Sequence, residues 1–323
     1  MKSRSEFLEI FNDFLAQQIQ VKEPKLLYEP IKYALDTGGK RIRPVLMMLA
    51  NQMFNDNYSK VLFPALGLEV FHNFTLLHDD IMDKSAMRRN KPTVHTKWND
   101  NVAILSGDAM SIMASQCVMN AEANHKPLID SFNQAAMDVC EGQQYDMDFE
   151  DVKHINEEDY MKMISLKTGA LLAVALKMGG IIADAQEKDI QHLYDFGMYM
   201  GIGFQLQDDW LDCFGDESKF GKLIGKDILN EKKTFLYIKA YELANEEQKN
   251  TLDHAFENYD LAASDKIEFV LNIYRELEIG ELTREKSIEY FNKAARELEA
   301  ISVSEEKKAE LTQFLNYLEK RSY

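Results

Sequence analysis

The sequence predicts an all-α protein. Apolar residues recur at intervals of three and four positions along most of the chain. Helix breakers are scarce, with only six prolines and fifteen glycines in 323 residues. No strand-type alternation continues for more than a few residues, and the hydrophobic fraction of 46% is ordinary for a soluble globular protein. We therefore expect a bundle of about ten or more helices.

The helical pattern begins in "SEFLEIFNDFLAQQI", where Phe7, Phe11 and Phe14 fall on one face. Similar stripes predict helices at 44–54, 64–82, 103–123, 131–145, 158–178, 187–211, 232–243, 246–258, 263–277, 283–300 and 305–318. Segments rich in Gly, Pro, Asn and Asp, such as "DTGGK", "KSAMRRNKP" and "FGDESKFGKLIGKD", separate some of these helices. No linker or low-complexity tract divides the chain, which predicts a single domain over residues 1–323.

Charge and cysteine usage exclude several classes of function. The net charge of −17 disfavours binding to nucleic acid or to anionic membranes. The three widely spaced cysteines indicate reduced thiols, and the first residues lack the apolar core of a signal peptide. The apolar run "GALLAVALKMGGIIA" is interrupted by Lys177 and is too short to span a bilayer. We expect a cytoplasmic protein without a membrane span.

Two stretches, "LLHDDIMD" and "LQDDWLD", repeat the pattern D-D-x-x-D within apolar segments. The carboxylates are those of Asp79, Asp80, Asp83, Asp208, Asp209 and Asp212. Residues four positions apart share one face of a helix, so each segment presents a cluster of oxygen donors without nitrogen or sulfur. Such donors suit Mg²⁺, which also binds phosphate oxygens. One copy could be a solvated acidic face, but two copies within apolar helices favour a metal site that binds a polyphosphate-like ligand.

Basic residues next to these motifs contradict the acidic average. "TGGKRIRP" contains Lys40, Arg41 and Arg43, and "AMRRNKP" contains Arg88, Arg89 and Lys91. Arginine matches phosphate geometry bidentately, and glycine lets the backbone approach a phosphate closely. Either cluster alone could be ordinary loop charge. Beside a predicted metal motif, both are better explained as anion ligands.

These strings resemble, in order, motifs of the trans-type isoprenyl diphosphate synthases, the polyprenyl synthetase family. "GGKRIRP" resembles the family's first diphosphate loop, and "HNFTLLHDDIMD" followed by "RRNKPTVH" resembles its first aspartate-rich motif. "LSGDAM", "EGQQYDMD", "KTGALL", "GFQLQDDWLD" and "GKLIGKDILNEKKT" follow where the family has similar strings. The resemblance extends from about Gly38 to Thr234. It implies an isoprenoid synthase-like bundle around a central cavity.

The resemblance also implies roles for individual residues. About three Mg²⁺ would be held by Asp79, Asp83 and Asp208, with Asp80, Asp209 and Asp212 assisting. The allylic diphosphate would be bound by Arg88, Lys167, Lys222 and Lys232, and isopentenyl diphosphate by Lys40, Arg43, His72 and Arg89. Thr168 and Gln205 would line the pocket of the carbocation. The catalytic residues would thus be Asp79, Asp83, Arg88, Lys167, Thr168, Gln205, Asp208 and Lys232.

The implied reaction is the head-to-tail condensation of isopentenyl diphosphate with an allylic diphosphate, by ionisation, condensation and proton loss. Phe71, Phe74 and Thr75 lie just upstream of the first motif, where the family sets product length. The two rings predict a short all-trans product, and the small Thr75 favours C20 over C15. Phe71 and Phe74 could equally be plain core aromatics. The resemblance further implies a homodimer.

Three other functions are alternatives to the synthase hypothesis. A terpene cyclase would need neither "GGKRIRP" nor Arg89, and it usually lacks a complete second D-D-x-x-D. An HD-type phosphohydrolase, suggested by His78-Asp79, wants a histidine well upstream, whereas His72 is the first in the chain. A non-catalytic partner subunit of a heteromeric synthase would be expected to have lost metal ligands, and all six aspartates are present.

Overall fold

The computed structural model describes residues 1–122, 125–215, 224–257 and 261–320. The chain folds into two compact units, each assembled from segments distant in sequence. Unit 1 comprises residues 1–136, 171–194 and 300–311, and unit 2 comprises residues 137–170, 195–299 and 312–323. The prediction of one domain over residues 1–323 stays a prediction.

The first part of the chain contains six helices of unit 1. They are α1 (Arg4–Gln18), α2 (Lys25–Asp36), α3 (Ile42–Gln52), α4 (Leu62–Met82), α5 (Val94–Lys97) and α6 (Asp100–Met119). A 3₁₀ turn at Tyr58–Val61 precedes α4. A small antiparallel hairpin, Met87–Arg88 with Lys91–Pro92, follows α4, and the described residues contain no other strand.

The remaining described residues are also mainly helical. Its helices are α7 (His125–Asp151), α8 (Glu157–Ile164), α9 (Ala170–Ile182), α10 (Glu187–Phe214), α11 (Lys226–Leu229), α12 (Phe235–Leu243), α13 (Glu246–Glu257), α14 (Ala263–Glu276), α15 (Ile279–Ala300) and α16 (Glu305–Glu319). A π-helical turn, Ser165–Gly169, joins α8 to α9. The predicted all-α fold class is confirmed.

In unit 1, α4 packs closely against α6. A Cβ on Gly67 of α4 would lie 2.7 Å from the carbonyl oxygen of Ala114 on α6, so only glycine permits this approach. Most of α4 is buried, including Leu68, Val70 and Phe71. This packing fixes the end of α4, where the first D-D-x-x-D segment lies.

In unit 2, the core surrounds α10 and α12. Tyr160, Leu206, Phe235 and Tyr274 belong to one buried cluster. A Cβ on Gly142 of α7 would lie 2.4 Å from the backbone nitrogen of Lys167. Glycine at this position therefore lets α7 pass directly beside the π-helical turn.

Capping residues explain several helix starts. Ser3 and Glu6 form a reciprocal capping box at α1. Asn99 caps α6 and Asn156 caps α8, each by accepting a hydrogen bond from a backbone N–H.

The predicted helices are present, with differences at some ends, a π-helical interruption at Ser165–Gly169 within the helix predicted over 158–178, and three omissions, α2, α5 and α11. Helix α2, which follows Pro24 and contains Pro30, is the longest of the three that the sequence analysis did not predict. The helix predicted from residue 232 instead begins at Phe235, with Thr234 as its N-cap residue, so Lys232 lies in a loop. The helix predicted over 103–123 ends at Met119, and residues 123 and 258 lie outside the described ranges.

By length and composition alone, Asp100–Met119 and Glu157–Ile182 could cross a membrane. The second segment is longer than the apolar run considered in the sequence. However, 67% of its apolar window is buried inside the protein, as in the core helix of a soluble protein, whereas the first has 33% buried. Two such helices are weak evidence for membrane insertion.

Candidate active site

The first aspartate segment lies at the carboxyl end of α4, beside the hairpin. Asp80 is 5% exposed, Asp79 is half-buried, and Asp83 is exposed just after the last helical residue. Arg88 from the hairpin donates from Nε to Asp80 Oδ1 at 2.8 Å, and its Nη2 lies 3.5 Å from Asp79 Oδ2. The predicted carboxylate and arginine groups therefore meet in unit 1.

Burial raises the pKa of Asp80, against the lowering effect of the Arg88 guanidinium, and the charge of Asp79 raises it further. For Asp80, the Arg88 guanidinium thus only partly offsets burial and the charge of Asp79. Binding a cation here would favour the ionised form of Asp80.

The hairpin turn separates the two arginines. Arg89 (φ 50°) and Asn90 (φ 61°) both have positive φ, as a tight two-residue hairpin turn requires, and asparagine suits that conformation. Arg89 Nη1 donates to the carbonyl oxygen of Gly38. A Cβ on Gly39 would lie 2.7 Å from that same Nη1, so the glycine pair makes room for the guanidinium.

The two arginines of "GGKRIRP" differ in environment. Arg41 is 6% exposed and donates from Nη1 to Glu69 Oε1 at 2.6 Å, so it is held in a buried ion pair. Desolvation lowers the pKa of Arg43 to about 10, and its buried Nε makes no hydrogen bond within the described residues. Lys40 is exposed. Arg43 and Lys40 therefore remain candidates for binding an anion, and Arg41 does not.

His72 lies among these cations. Its pKa is lowered well below the ordinary value, first by removal from water and then by the positive charges of Arg43, Arg89, Arg88 and Arg41. The imidazole is therefore neutral at pH 7 without a bound anion. An anion at this site would offset the repulsion and raise the pKa of His72.

The second aspartate segment lies near the carboxyl end of α10. Asp209 is 3% exposed, accepts a hydrogen bond from the hydroxyl of Tyr160, and accepts another from Gln205 Nε2 at 3.0 Å. Burial raises the pKa of Asp209 well above its ordinary value, and the charges of Asp227 and Asp208 add to the effect. This carboxylate is oriented by fixed donors in a crowded acidic environment.

Asp227 of α11 is an acidic neighbour that sequence reasoning missed. Its backbone N–H donates to Asp212 Oδ2 at 2.9 Å. Burial raises the pKa of Asp227 to about 7, with further contributions from the charges of Asp212 and Asp208. The string "GKD" in the matched segment after the second motif was the available signal.

Lys167 and Lys232 converge on Asp146, another residue the sequence analysis did not assign. The Nζ atoms lie 2.7 Å and 3.1 Å from Asp146 Oδ2. Lys232 also lies 2.7 Å from Glu150 Oε1. The two ammonium groups lower the pKa of Asp146 despite its burial. The matched string "EGQQYDMD" contains Asp146, but sequence distance alone could not pair it with either lysine. Lys222 lies outside the described residues.

Thr168 and Gln205 are directly bonded. Thr168 Oγ1 donates to Gln205 Oε1 at 3.0 Å, while the amide nitrogen of Gln205 donates to Asp209. Thr168 lies in the π-helical turn, a geometry frequent at functional sites. A cleft of about 180 Å³ in unit 2 is lined by Asp146, Lys167, Thr168, Gln205, Asp209, Asp227 and Lys232, among other residues.

The aromatic residues expected to limit product length lie on α4. Phe71 is 3% exposed, and its ring packs edge-on against Phe132 with centroids 5.4 Å apart. Phe74 is half-buried and contacts both Phe71 and His78. Thr75 Oγ1 donates to the carbonyl oxygen of His72 at 2.8 Å. Phe71 is therefore part of the core of unit 1, whichever further role it has.

The donor chemistry fits a hard divalent cation. Burial raises the pKa values of Asp80, Asp209 and Asp227, and the charges of neighbouring carboxylates raise them further, so a nearby cation would stabilise their ionised forms. Within the ranges described above, no three Asp, Glu, His or Cys side chains converge as a complete metal cage. Mg²⁺ commonly uses one or two carboxylates together with water and phosphate oxygens, which agrees with these open clusters.

Comparison with known proteins identifies the family. A family model described as polyprenyl synthetase matches residues 24–274. The chain belongs to the polyprenyl synthetase family. It is 33% identical over 319 residues to geranylgeranyl pyrophosphate synthase from Geoglobus acetivorans, with 97% of each chain covered. It is 32% identical over 255 residues to geranylfarnesyl diphosphate synthase from Natronomonas pharaonis, covering 73% of this chain and 75% of that protein.

A crystal structure of a geranylgeranyl pyrophosphate synthase matches this polyprenyl synthetase with a TM-score of 0.94 at 39% identity, covering 100% of both chains. These findings confirm the predicted family, the isoprenoid synthase-like fold and the enzyme class, a trans-prenyltransferase. The family match extends beyond Thr234, where the motifs recognised in the sequence end.

Proposed function

We propose that this polyprenyl synthetase condenses isopentenyl diphosphate with an allylic diphosphate to give geranylgeranyl diphosphate, a C20 product. The supporting observation is the unit 2 cleft, which combines crowded carboxylates, the ammonium groups of Lys167 and Lys232, and the bonded Thr168–Gln205 pair. A site that ionises an allylic diphosphate needs this combination: cation ligands, partners for the leaving group and oxygens for the carbocation.

The metal ligands in this proposal are Asp79, Asp83 and Asp208, with Asp80, Asp209 and Asp212 assisting. When bound, about three Mg²⁺ would neutralise the diphosphate and stabilise the charge that develops on it. The raised pKa values of Asp80 and Asp209 support the proposal, since each carboxylate would gain from a cation nearby.

The allylic diphosphate would be bound by Arg88, Lys167 and Lys232, with Lys222 as the fourth predicted cation. Lys167 and Lys232 are held by Asp146, so both ammonium groups are positioned before substrate binds. We expect them to share their protons with diphosphate oxygens while Asp146 keeps their spacing. Their positive charge would then stabilise the leaving pyrophosphate as the C–O bond breaks.

Isopentenyl diphosphate would be bound by Lys40, Arg43, His72 and Arg89. Its terminal alkene would attack the allylic carbocation, and a proton would pass to the departing pyrophosphate. The oxygens of Thr168 and Gln205 would stabilise the cation. Apolar walls around the pocket would exclude the water that could otherwise capture it.

The C20 product is supported by the names of several relatives and by the aromatic residues upstream of the first motif. Phe74 is the better candidate for a length-limiting residue, because Phe71 is already packed in the core against Phe132. One relative is named for a geranylfarnesyl product, so the length of the product is not the same throughout the family.

A homodimer in the cytoplasm remains part of the proposal. Helix α6 exposes Ile104, Leu105 and Ile112, and Leu105 and Ile112 lie seven residues apart on one face. A second copy of the chain would cover this apolar stripe. Sedimentation of the purified protein would test it, with a monomer at micromolar concentration as the contrary result.

The function is tested by product analysis. Purified protein and Mg²⁺ would be incubated with labelled isopentenyl diphosphate and, separately, dimethylallyl, geranyl or farnesyl diphosphate, and the dephosphorylated products sized. We expect a ladder that stops at C20. Products that stop at C15 or extend beyond C25 would refute the chain-length proposal but keep the chemistry. Cyclised hydrocarbon would indicate a terpene cyclase, and no elongation with any primer would indicate a non-catalytic partner subunit.

A further inference from the structure

A buried carboxylate, Glu69, lies beneath the basic groups of unit 1. This residue is 2% exposed. It lies on α4, the helix that also carries His72 and ends at the first aspartate segment. Its Oε1 lies 2.6 Å from Arg41 Nη1 and accepts a hydrogen bond from Asn73 Nδ2 at 3.0 Å. Asn73 also donates to the carbonyl oxygen of Glu69 at 2.8 Å. The carboxylate is thus fixed by two partners.

The ion pair with Arg41 connects α4 to the glycine loop. Arg41 precedes α3 in a left-handed conformation (φ 46°), and its Nη2 donates to the carbonyl oxygen of Leu35 at 2.5 Å. Leu35 belongs to the end of α2, so one guanidinium joins the end of α2, the start of α3 and the middle of α4. Lys40 precedes Arg41 in this loop, and Arg43 follows it by two residues.

Glu69 also supplies the negative charge that partly balances the cluster. Its charge raises the pKa of Arg43 and of Arg89, against the lowering effects of desolvation and of neighbouring guanidinium groups. Without it, Arg41 and Arg43 would lose this compensating charge, and the carboxylate of Asp80, which also acts on Arg89, pairs with Arg88 instead. Uncompensated like charges at short range would push the loop and the hairpin arginine apart.

We infer that Glu69 is a positioning residue for isopentenyl diphosphate: it holds Arg41 so that Lys40, Arg43 and Arg89 converge before substrate binds. This inference rests on the proposed function. In this inference Glu69 does not contact the substrate itself. Its buried ion pair is also weak evidence for a role in stability, because apolar residues in place of such a pair often give an equally stable protein. A positioning role predicts a selective loss of affinity for one substrate, which a purely structural role does not.

The decisive variant is Glu69→Gln, which keeps the shape of the side chain and removes its charge. We expect the KM for isopentenyl diphosphate to rise roughly tenfold, as loss of one charged, buried partner implies. The kcat and the KM for the allylic substrate should stay within about twofold. The reason is that the variant weakens isopentenyl diphosphate binding equally in the ground state and the transition state, and does not alter the allylic site. Glu69→Asp, which keeps the charge, should give an intermediate KM.

Asp189→Asn is the matched control. Asp189 is also a buried carboxylate of unit 1, and it accepts hydrogen bonds from the backbone nitrogen and the hydroxyl of Ser302, both at 2.8 Å. No arginine cluster is bonded to it in the described structure. We expect this variant to lose stability without a change in either KM.

Asn73→Ala tests the inference even if Glu69→Gln does not fold, because it keeps the ion pair and removes only the second partner of Glu69. Its KM for isopentenyl diphosphate should rise about threefold. The inference is refuted if Asn73→Ala and every folded Glu69 variant keep the wild-type KM. It is also refuted if both substrates lose affinity equally.

Failure of the proposed function gives a different result, since the wild type would then not elongate any primer. In that case, the thermal shift caused by isopentenyl diphosphate alone still tests the positioning role. The wild type should be stabilised by this ligand, and Glu69→Gln should lose most of the shift. An equal shift in both proteins would overturn the inference.

Discussion

Asp227→Asn should make the metal-free protein more stable at neutral and alkaline pH. Asp227 is buried near Asp212 and Asp208, and this environment raises its pKa from 3.8 to about 7. The unfolded chain would release the proton near pH 4, whereas the folded chain keeps it until about pH 7. Folding therefore binds a proton across this window, and the contribution of Asp227 to stability falls as the pH rises.

The size of the effect follows from the pKa difference. Each unit of pKa corresponds to about 1.4 kcal/mol, so a rise of about three units costs up to about 4 kcal/mol of unfolding free energy above pH 7. An asparagine cannot ionise and avoids this cost. The hydrogen bond to Asp212 comes from the backbone N–H of residue 227, so the variant keeps it. We expect a gain of about 2 to 4 kcal/mol at pH 8 and a much smaller one near pH 5.

The assay is denaturant unfolding in EDTA from pH 5 to pH 8.5, with the variant and the wild type compared at each pH. The difference between the two proteins isolates Asp227 from the other titrating groups. One of these is His72, whose lowered pKa has the opposite effect on stability, because the unfolded chain gains a proton there as the pH falls. Glu285→Gln, at an exposed position in the same unit, is the control for loss of one carboxylate and should show no pH-dependent gain. A difference between Asp227→Asn and wild type that is constant across this range would refute the reasoning.

Adding Mg²⁺ with pyrophosphate should reverse the comparison at pH 8. A bound cation favours ionised carboxylates, so the wild type should be stabilised more than Asp227→Asn. Equal stabilisation of the two proteins would show that Asp227 does not sense the metal.

Three further changes test other parts of the site. Gly39→Ala places a Cβ 2.7 Å from Arg89 Nη1, at a position where φ is +141°. Because the guanidinium must then move, the KM for isopentenyl diphosphate should rise about fivefold. An unchanged KM would show that the guanidinium is not needed at this place. Thr168→Val removes the donor to Gln205 and should lower kcat about tenfold in steady-state assays, whereas an unchanged kcat would exclude a role for this hydrogen bond. Phe74→Ala should shift the product ladder beyond C20, and an unaltered ladder with normal turnover would assign Phe74 to the core.

The sequence by itself determined the fold class, the family and most of the charged groups of the site. Helical periodicity is a local property, so helices can be recognised from the sequence without knowledge of how they pack. The spacing within each D-D-x-x-D segment and the closeness of Arg88 to the first segment are also local. These features explain why the aspartate segments and the arginines of the hairpin could be recognised from the order of residues alone.

Only the tertiary structure decided which charges compensate which. Arg41 and Arg43 look equivalent in "GGKRIRP", but the left-handed backbone at Arg41 directs the former into a buried pair with Glu69. Asp146 acquires its importance from two lysines distant in sequence, and Asp227 from the carboxylates of α10. Burial and distance set the strength of electrostatic interactions, and both arise only when the chain has folded.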